Sequence, residues 1–368
     1  MSGIHSVTDK ALFDALCQSR VTHNELRDLF LSRGILVSRT TDKKALAKNF
    51  SKLTHDFYVH QRISAIYGGF LRRERNTSVV ISGNVNQEVL LAAANKLEEE
   101  LLTEDDLCSV VSDKSSIRMH ITYLSTNYGK SDFNQVEKKN ATFEIEMLDG
   151  SFSLRRPDNE QAQNYEARLL AIVETMMRDN SDDESEGLNL NEISLQHIDD
   201  HEKRTLFFKK LINGLDGYEL DDVTDVYVYH PKPTVIEEEK GDSDTGVHIS
   251  RASLKGEGVL KSDELTSLYE KGFYIWKIRW RVKDKTPYSD LYEFEAQFSD
   301  PADCNDFSYI SRGFKKFKSA GEYNKSTIQL SSSEEVKFYK LIEKTARFII
   351  LEFNAECDEV EDECSSES

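Results

Sequence analysis

Apolar positions recur at helical spacing over residues 7–67 and switch to strand-like alternation beyond residue 78. Leu12, Phe13 and Leu16 form a first short stripe. Thr22-His-Asn-Glu25 reads as a capping box ahead of Leu26, Leu29 and Phe30, with Gly34 as the stop. Leu46, Phe50 and Leu53 share one face of a helix over 43–53, and Phe57, Ile63 and Ile66 continue a further helix up to Gly68-Gly69. Ser78–Ile81 then reads as a short buried strand, turning through Ser82-Gly-Asn84 into a helix from about Asn86 to Leu102. Ile117–Leu124 alternates, as do Phe143, Ile145 and Met147, and Asp149-Gly150 predicts a hairpin turn into Phe152 and Leu154. Pro157-Asp158 opens a helix whose apolar face holds Leu169, Ile172, Val173 and Met176, which completes a β-α-β-β-β-α order.

The second half opens with a helix around His201–Leu215 and a strand at Val226 and Val228, closed by Pro231 and Pro233. An acidic loop, Glu237–Gly246, precedes strands at Val247–Leu254 and Phe273–Lys283 that flank a helix at Asp263–Tyr269. Leu291–Phe298 forms a hairpin-like partner, and the last helix, Ser332–Phe353, carries a Ser332-x-x-Glu335 capping box. The expected fold is α+β: a helical head over 1–75, a mixed α+β domain over 76–178, an acidic linker over 179–192 and a second α+β domain over 193–355. The tail 356–368 has seven acids and no base, a composition expected to be disordered.

Charge sharpens this picture. The chain is net −19, yet residues 1–75 hold thirteen Lys/Arg against seven Asp/Glu, leaving +6 in the head and −25 in the remainder. The head is therefore the expected anion-facing surface, because the acidic body repels nucleic acid and acidic membrane. Nineteen Phe and 38% apolar residues suffice for sizeable cores. No basic segment followed by an apolar one opens the chain, and apolar runs such as Phe348–Leu351 are too short to span a bilayer. The five cysteines form no C-x-x-C pair, which fits a reduced, cytoplasmic compartment.

The stretch Thr22–Phe50 resembles the SAP-type helix-extension-helix module. Leu26 and Leu29 match its first helix, Gly34-Ile35 its turn, and Lys43, Lys44, Leu46 and Phe50 its second helix; the link Leu36–Thr41 is longer than the usual pattern. The resemblance covers about thirty of 368 residues and implies DNA or RNA binding, DNA ahead of RNA. Carried over, it makes Arg39, Lys43, Lys44 and Lys48 phosphate-facing, with Arg33 beside the turn. Helix N-terminal donors at Thr40–Asp42 would add to such a site, although Asp42 opposes an anion there. Arg72, Arg73 and Arg75 extend the basic region or serve as a charged connector.

Other clusters resemble chemistry less. His197 and His201 are four apart, but no third metal ligand accompanies them, and Asp199, Asp200 and Glu202 suit a helix N-terminus. Trp276, Ile278, Trp280 and Val282 alternate with Lys277, Arg279, Arg281 and Lys283; Tyr292, Phe294, Ala296 and Phe298 alternate with Glu293, Glu295 and Gln297. Pairing of these strands predicts a cross-strand ladder of opposite charges on the outer sheet face. The sharper alternative is a metal-dependent nuclease in which Asp284 or Asp290 joins Glu293, Glu295 and Gln297. Arg155 and Arg156 could bind an anion or pair with local acids. No nucleotide-binding or hydrolase motif occurs, and no cofactor is implied.

The expected function is a cytosolic, non-enzymatic nucleic-acid-binding or adaptor protein. Its head would hold nucleic acid, and its acidic body would hold a protein partner or a second copy. An accessory role in a microbial antiviral defence system suits this build. The alternatives are the nuclease with its site at 273–298 and a pure interaction or oligomerisation scaffold.

Overall fold

A computed structural model describes residues 7–19, 21–68, 73–83, 85–130, 133, 135–180, 187–231, 249–319 and 321–366. The fold is α+β, with a helical N-terminal region and a large antiparallel sheet. Two compact units form, and neither is contiguous in sequence. One comprises Met1–Arg73, Gln87–Phe143 and Arg168–Met176, the other Glu74–Asn86, Glu144–Ala167 and Met177–Ser368.

In the first unit, α1 (Asp9–Cys17), α2 (His23–Leu31), α3 (Lys43–Ser51) and α4 (Phe57–Gly68) gather around Leu16, Leu26, Leu29, Phe30, Leu46, Phe50 and Ile63. The Thr22 capping box is formed: Glu25 N donates to Thr22 Oγ1 at 3.2 Å and Thr22 N to the Glu25 carboxylate at 2.5 Å. Gly34 follows α2 at φ +71°, and Ile35 N reaches back to Phe30 O at 3.0 Å, the hydrogen bond of a Schellman stop. Helix α5 (Gln87–Thr103) buries Leu90, Ala93, Ala94, Leu97 and Leu101. An antiparallel hairpin of β2 (Leu107–Ser112) and β3 (Ser116–Thr126) follows. Strand β2 is an addition to the sequence reading; it is short, and most of its side chains are exposed. Strand β4 (Val136–Leu148) leaves this unit at Phe143.

The second unit contains β1 (Asn76–Ser82) and β5 (Ser151–Pro157), paired antiparallel from Asn76↔Pro157 to Ser82↔Ser151. The end of β4 meets β5 through a two-residue turn at Asp149-Gly150, as expected from the sequence, with Gly150 at φ +71°. Helix α6 (Glu160–Asn180) contributes to both units. Residues 181–186 of the expected linker lie outside the described residues, and Asn189–Glu192 forms β6, an antiparallel partner of β1. The acidic loop Glu237–Gly246 and the first residues of the strand expected from Val247 also lie outside them.

Helix α7 (His201–Asn213) leads into β7 (Tyr218–Tyr229), β8 (Arg251–Lys255), α8 (Asp263–Glu270), β9 (Tyr274–Asp284), β10 (Leu291–Asp300) and β11 (Asn305–Lys315). Two short strands, β12 (Phe317–Ser319) and β13 (Glu322–Tyr323), precede α9 (Ser332–Ser366). Within this unit the strand order is β5-β1-β11-β10-β9-β7-β8. Strand β11 was not expected from the sequence, and it joins β1 to the rest of the sheet. Helices α7 and α9 cover one sheet face with Phe207, Phe208, Phe338 and Ile342 against Trp280, Phe294 and Phe298. Each buried Phe stabilises the fold by roughly 1.5–3 kcal/mol. The α9 capping box sits one residue earlier than predicted: Ser331 N donates to the Glu334 carboxylate at 2.9 Å. The helix continues past Phe353 through the acidic stretch to Ser366. Among the described residues no helix is long and apolar enough to cross a membrane.

Candidate nucleic-acid interface

Helices α2 and α3 are joined by an eleven-residue link, Ser32–Asp42, that ends in a Ser38–Thr41 turn. His23 Nε2 holds Thr41 O at 2.7 Å and ties the end of the link to the start of α2. This turn displays Arg39 to solvent. Lys44 and Lys48 follow on α3, both exposed and four residues apart, so they share a face. Lys52, at the α3 C-cap, continues the same row and is exposed. The i, i+4, i+8 spacing is visible in the sequence, and Lys52 lies just beyond the SAP-like stretch that ends at Phe50.

The other two predicted contacts are placed differently. Lys43 turns back along the helix and donates to Gln18 O at 2.6 Å, with Cys17 O at 3.5 Å, closing the C-terminus of α1. Arg33 lies over the Phe50 ring at 5.7 Å, with a guanidinium nitrogen 3.5 Å from His55 Nδ1. Burial holds the His55 imidazole below its ordinary pKa, against a raising contribution from its bond to Phe50 O. The α3 N-terminus is also occupied: Asp42 accepts from Lys44 N at 2.9 Å and Ala45 N at 3.2 Å. Those backbone donors are therefore engaged, and an anion would meet the side chains of Arg39, Lys44, Lys48 and Lys52. Exposed Leu31, Ile35 and Leu36 flank them on the link side.

In the second unit the predicted charge ladder forms with Glu293 opposite Arg281 and Glu295 opposite Arg279 on β10 and β9. Its carboxylates are more deeply placed than an outer-face ladder implies, Glu293 at 6% and Glu295 at 3% exposure. Glu295 holds Lys277 at 2.9 Å, Arg75 at 2.5 Å and Arg312 at 2.5 Å, and Glu293 holds Arg279 at 3.0 Å and Arg281 at 3.5 Å. Burial pushes the Glu295 carboxyl up, but the bonds from Lys277, Arg75 and Arg312 outweigh it and bring the pKa down to about 2.

Two of the bulges on this face place Arg312 and Trp276. On β11, Phe294↔Ser311 is followed by Glu293↔Gly313, so Arg312 is the extra residue, and its guanidinium reaches Glu295. On β9, Tyr227↔Lys277 is followed by Val228↔Ile275, which makes Trp276 the extra residue. Trp276 therefore leaves the apolar row with Ile278, Trp280 and Val282 that alternation predicted. It lies 6.1 Å from the Tyr227 ring, under the Arg251 guanidinium at 5.5 Å.

The remaining candidates resolve into local partnerships. Asp290 accepts from Phe317 N at 2.8 Å and Asp284 from Thr286 N at 2.9 Å. A carboxylate that already carries three organic cations leaves little lone-pair room for a divalent ion. Among the described residues no group of three or more His, Cys, Asp or Glu is placed to hold a metal. His197 bonds Asn354 at 2.8 Å and precedes α7, whereas His201 begins it, so the two do not share a helical turn. Arg155 donates to Glu343 at 2.5 and 2.7 Å and to Glu144 at 2.5 Å, and Arg156 pairs with Glu166. Arg72 and Asn84 lie outside the described residues. No family model matches the chain, and no curated protein matches it either.

Proposed function

We propose that this is a cytosolic, non-enzymatic nucleic-acid-binding protein whose SAP-like α2–α3 module grips the phosphate backbone. One observation carries the reading: Arg39, Lys44, Lys48 and Lys52 stand exposed along one short helix and the turn before it, within the net-basic first 75 residues of an acidic chain. Bases that meet phosphates in this way give affinity without sequence preference and release counterions on binding. The −25 remainder keeps nucleic acid from spreading indiscriminately over the molecule and leaves acidic surface for a protein partner.

The test is fluorescence anisotropy with labelled DNA and RNA, titrated with the full chain at several salt concentrations. Lys44→Glu with Lys48→Glu should weaken binding and lower the salt slope on duplex DNA by about 1.8, the loss of two phosphate contacts. Unchanged affinity and slope in this double variant would remove the module from the interface.

A further inference from the structure

The cation-rich face of the second unit has more positive charge than its own carboxylates require. Among the described residues, Arg75, Lys277, Arg279, Arg281 and Arg312 are set against Glu293, Glu295 and Asp225, five cations to three carboxylates. Cohesion of the sheet needs one cation per carboxylate. Additional half-buried cations cost desolvation and repel one another. These guanidinium and ammonium groups keep part of their surface open, from 15% for Lys277 to 37% for Arg312. The three carboxylates hold the cations in fixed positions, and the surplus charge remains available to an outside anion.

The spacing narrows the class of anion. Lys277, Arg279, Arg281 and Lys283 project from one face of β9 at every second residue, a repeat of about 6.7 Å. That row suits the backbone of one extended strand. At its Lys277 end the chemistry turns aromatic: Lys277 and Lys255 lie over the Tyr227 ring at 4.7 and 5.7 Å, and Arg251 covers Trp276. Base stacking on aromatic rings or guanidinium planes beside a basic groove is the usual means of gripping single strands. A duplex keeps its bases stacked within and makes no use of such an end.

We propose that this face is a second nucleic-acid surface, separate from the α2–α3 module. A single strand would lie along β9 with its phosphates over Lys277–Lys283 and one base extending the Arg251–Trp276 stack.

Trp276 supplies the reporter. The chain has two tryptophans, and the other, Trp280, is fully buried. A short oligothymidylate added to the full chain at low salt should change Trp emission saturably, and Trp276→Phe should abolish the change. Lys255→Glu with Lys283→Glu, the first exposed and the second half-buried, each in a loose pair at 3.8 Å with Asp225 and Asp221 respectively, should weaken the response roughly tenfold without unfolding the sheet. Lys44→Glu with Lys48→Glu should leave the response in place, which separates this surface from the α2–α3 reading. Three results would overturn the proposal. These are no emission change while anisotropy still reports binding, a response insensitive to the Lys255/Lys283 pair, or polyglutamate binding there more tightly than the oligonucleotide. The last would assign the face to an acidic polypeptide.

Discussion

The Lys43 ammonium donates to the Gln18 carbonyl oxygen at 2.6 Å, so the first residue of α3 closes the last turn of α1. A lysine that looked like a ligand contact in sequence is a fastening between helices, whereas its neighbour Lys44 points to solvent. Lys43→Met should therefore lower the stability of the helical region by about 1 kcal/mol and leave nucleic-acid affinity unchanged. Urea unfolding beside anisotropy separates the two effects. Lost binding with an unchanged unfolding midpoint would return Lys43 to the interface.

Glu295 makes stability depend on acid. Its carboxyl falls from an ordinary 4.5 to about 2 in the folded chain. The stabilisation is fully present above 4.5 and is lost as pH falls from there through about 2. Glu295→Gln should remove that dependence and cost about 3 kcal/mol at neutral pH, because Arg75, Lys277 and Arg312 lose their shared counter-charge. Thermal unfolding followed across this acid range measures both; identical pH profiles for parent and variant would contradict the assignment.

Gly313 fixes the bulge that aims Arg312. Its φ is +106°, and a Cβ there would stand 2.3 Å from Ile328 O. Gly313→Ala should destabilise the chain by about 1–3 kcal/mol and disturb the Arg312–Glu295 pair. Retention of the parental unfolding midpoint would show that the loop bearing Ile328 yields freely.

Glu343 on α9 accepts from Arg155 on β5 and from the Tyr309 hydroxyl on β11, all three nearly inaccessible. Burial and the adjacent carboxylate hold the Tyr309 hydroxyl well above its ordinary pKa, so it remains a donor. Glu343→Ala leaves Arg155 buried with only Glu144 and should cost about 3–5 kcal/mol. Tyr309→Phe removes one neutral donor and should cost about 1 kcal/mol. A reversal of that order in urea unfolding would mean that the ion pair contributes little.

Local chemistry was legible in the sequence and long-range chemistry was not. The Thr22 capping box, the Asp149-Gly150 turn and the pairing of β9 with β10 each depend on a few neighbouring residues, and each forms as read. Strand β11 escaped because Ser308 and Ser311 occupy fully buried places where a hydrophobic pattern expects apolar side chains, and Gly313 interrupts the run. Trp276 escaped because one bulge shifts the alternation by a residue. In the candidate sites, the SAP-type resemblance named Arg39, Lys44 and Lys48, which stand exposed, but the partner of Lys43 lies 25 residues away and Arg75 meets Glu295 across 220. No local periodicity encodes such pairs.

Strand β1 also sets a schedule for synthesis. Thr77 on β1 bonds Phe307 O on β11, 230 residues later. At about 5–20 residues per second, β1 leaves the ribosome roughly 10–45 s before that partner exists. During that interval its unpaired edge is open to wrong strands, while the helical N-terminal segments are already able to fold. A cell that makes this protein slowly thus holds, for much of each round of translation, the basic N-terminal helices joined to an unfinished acidic sheet.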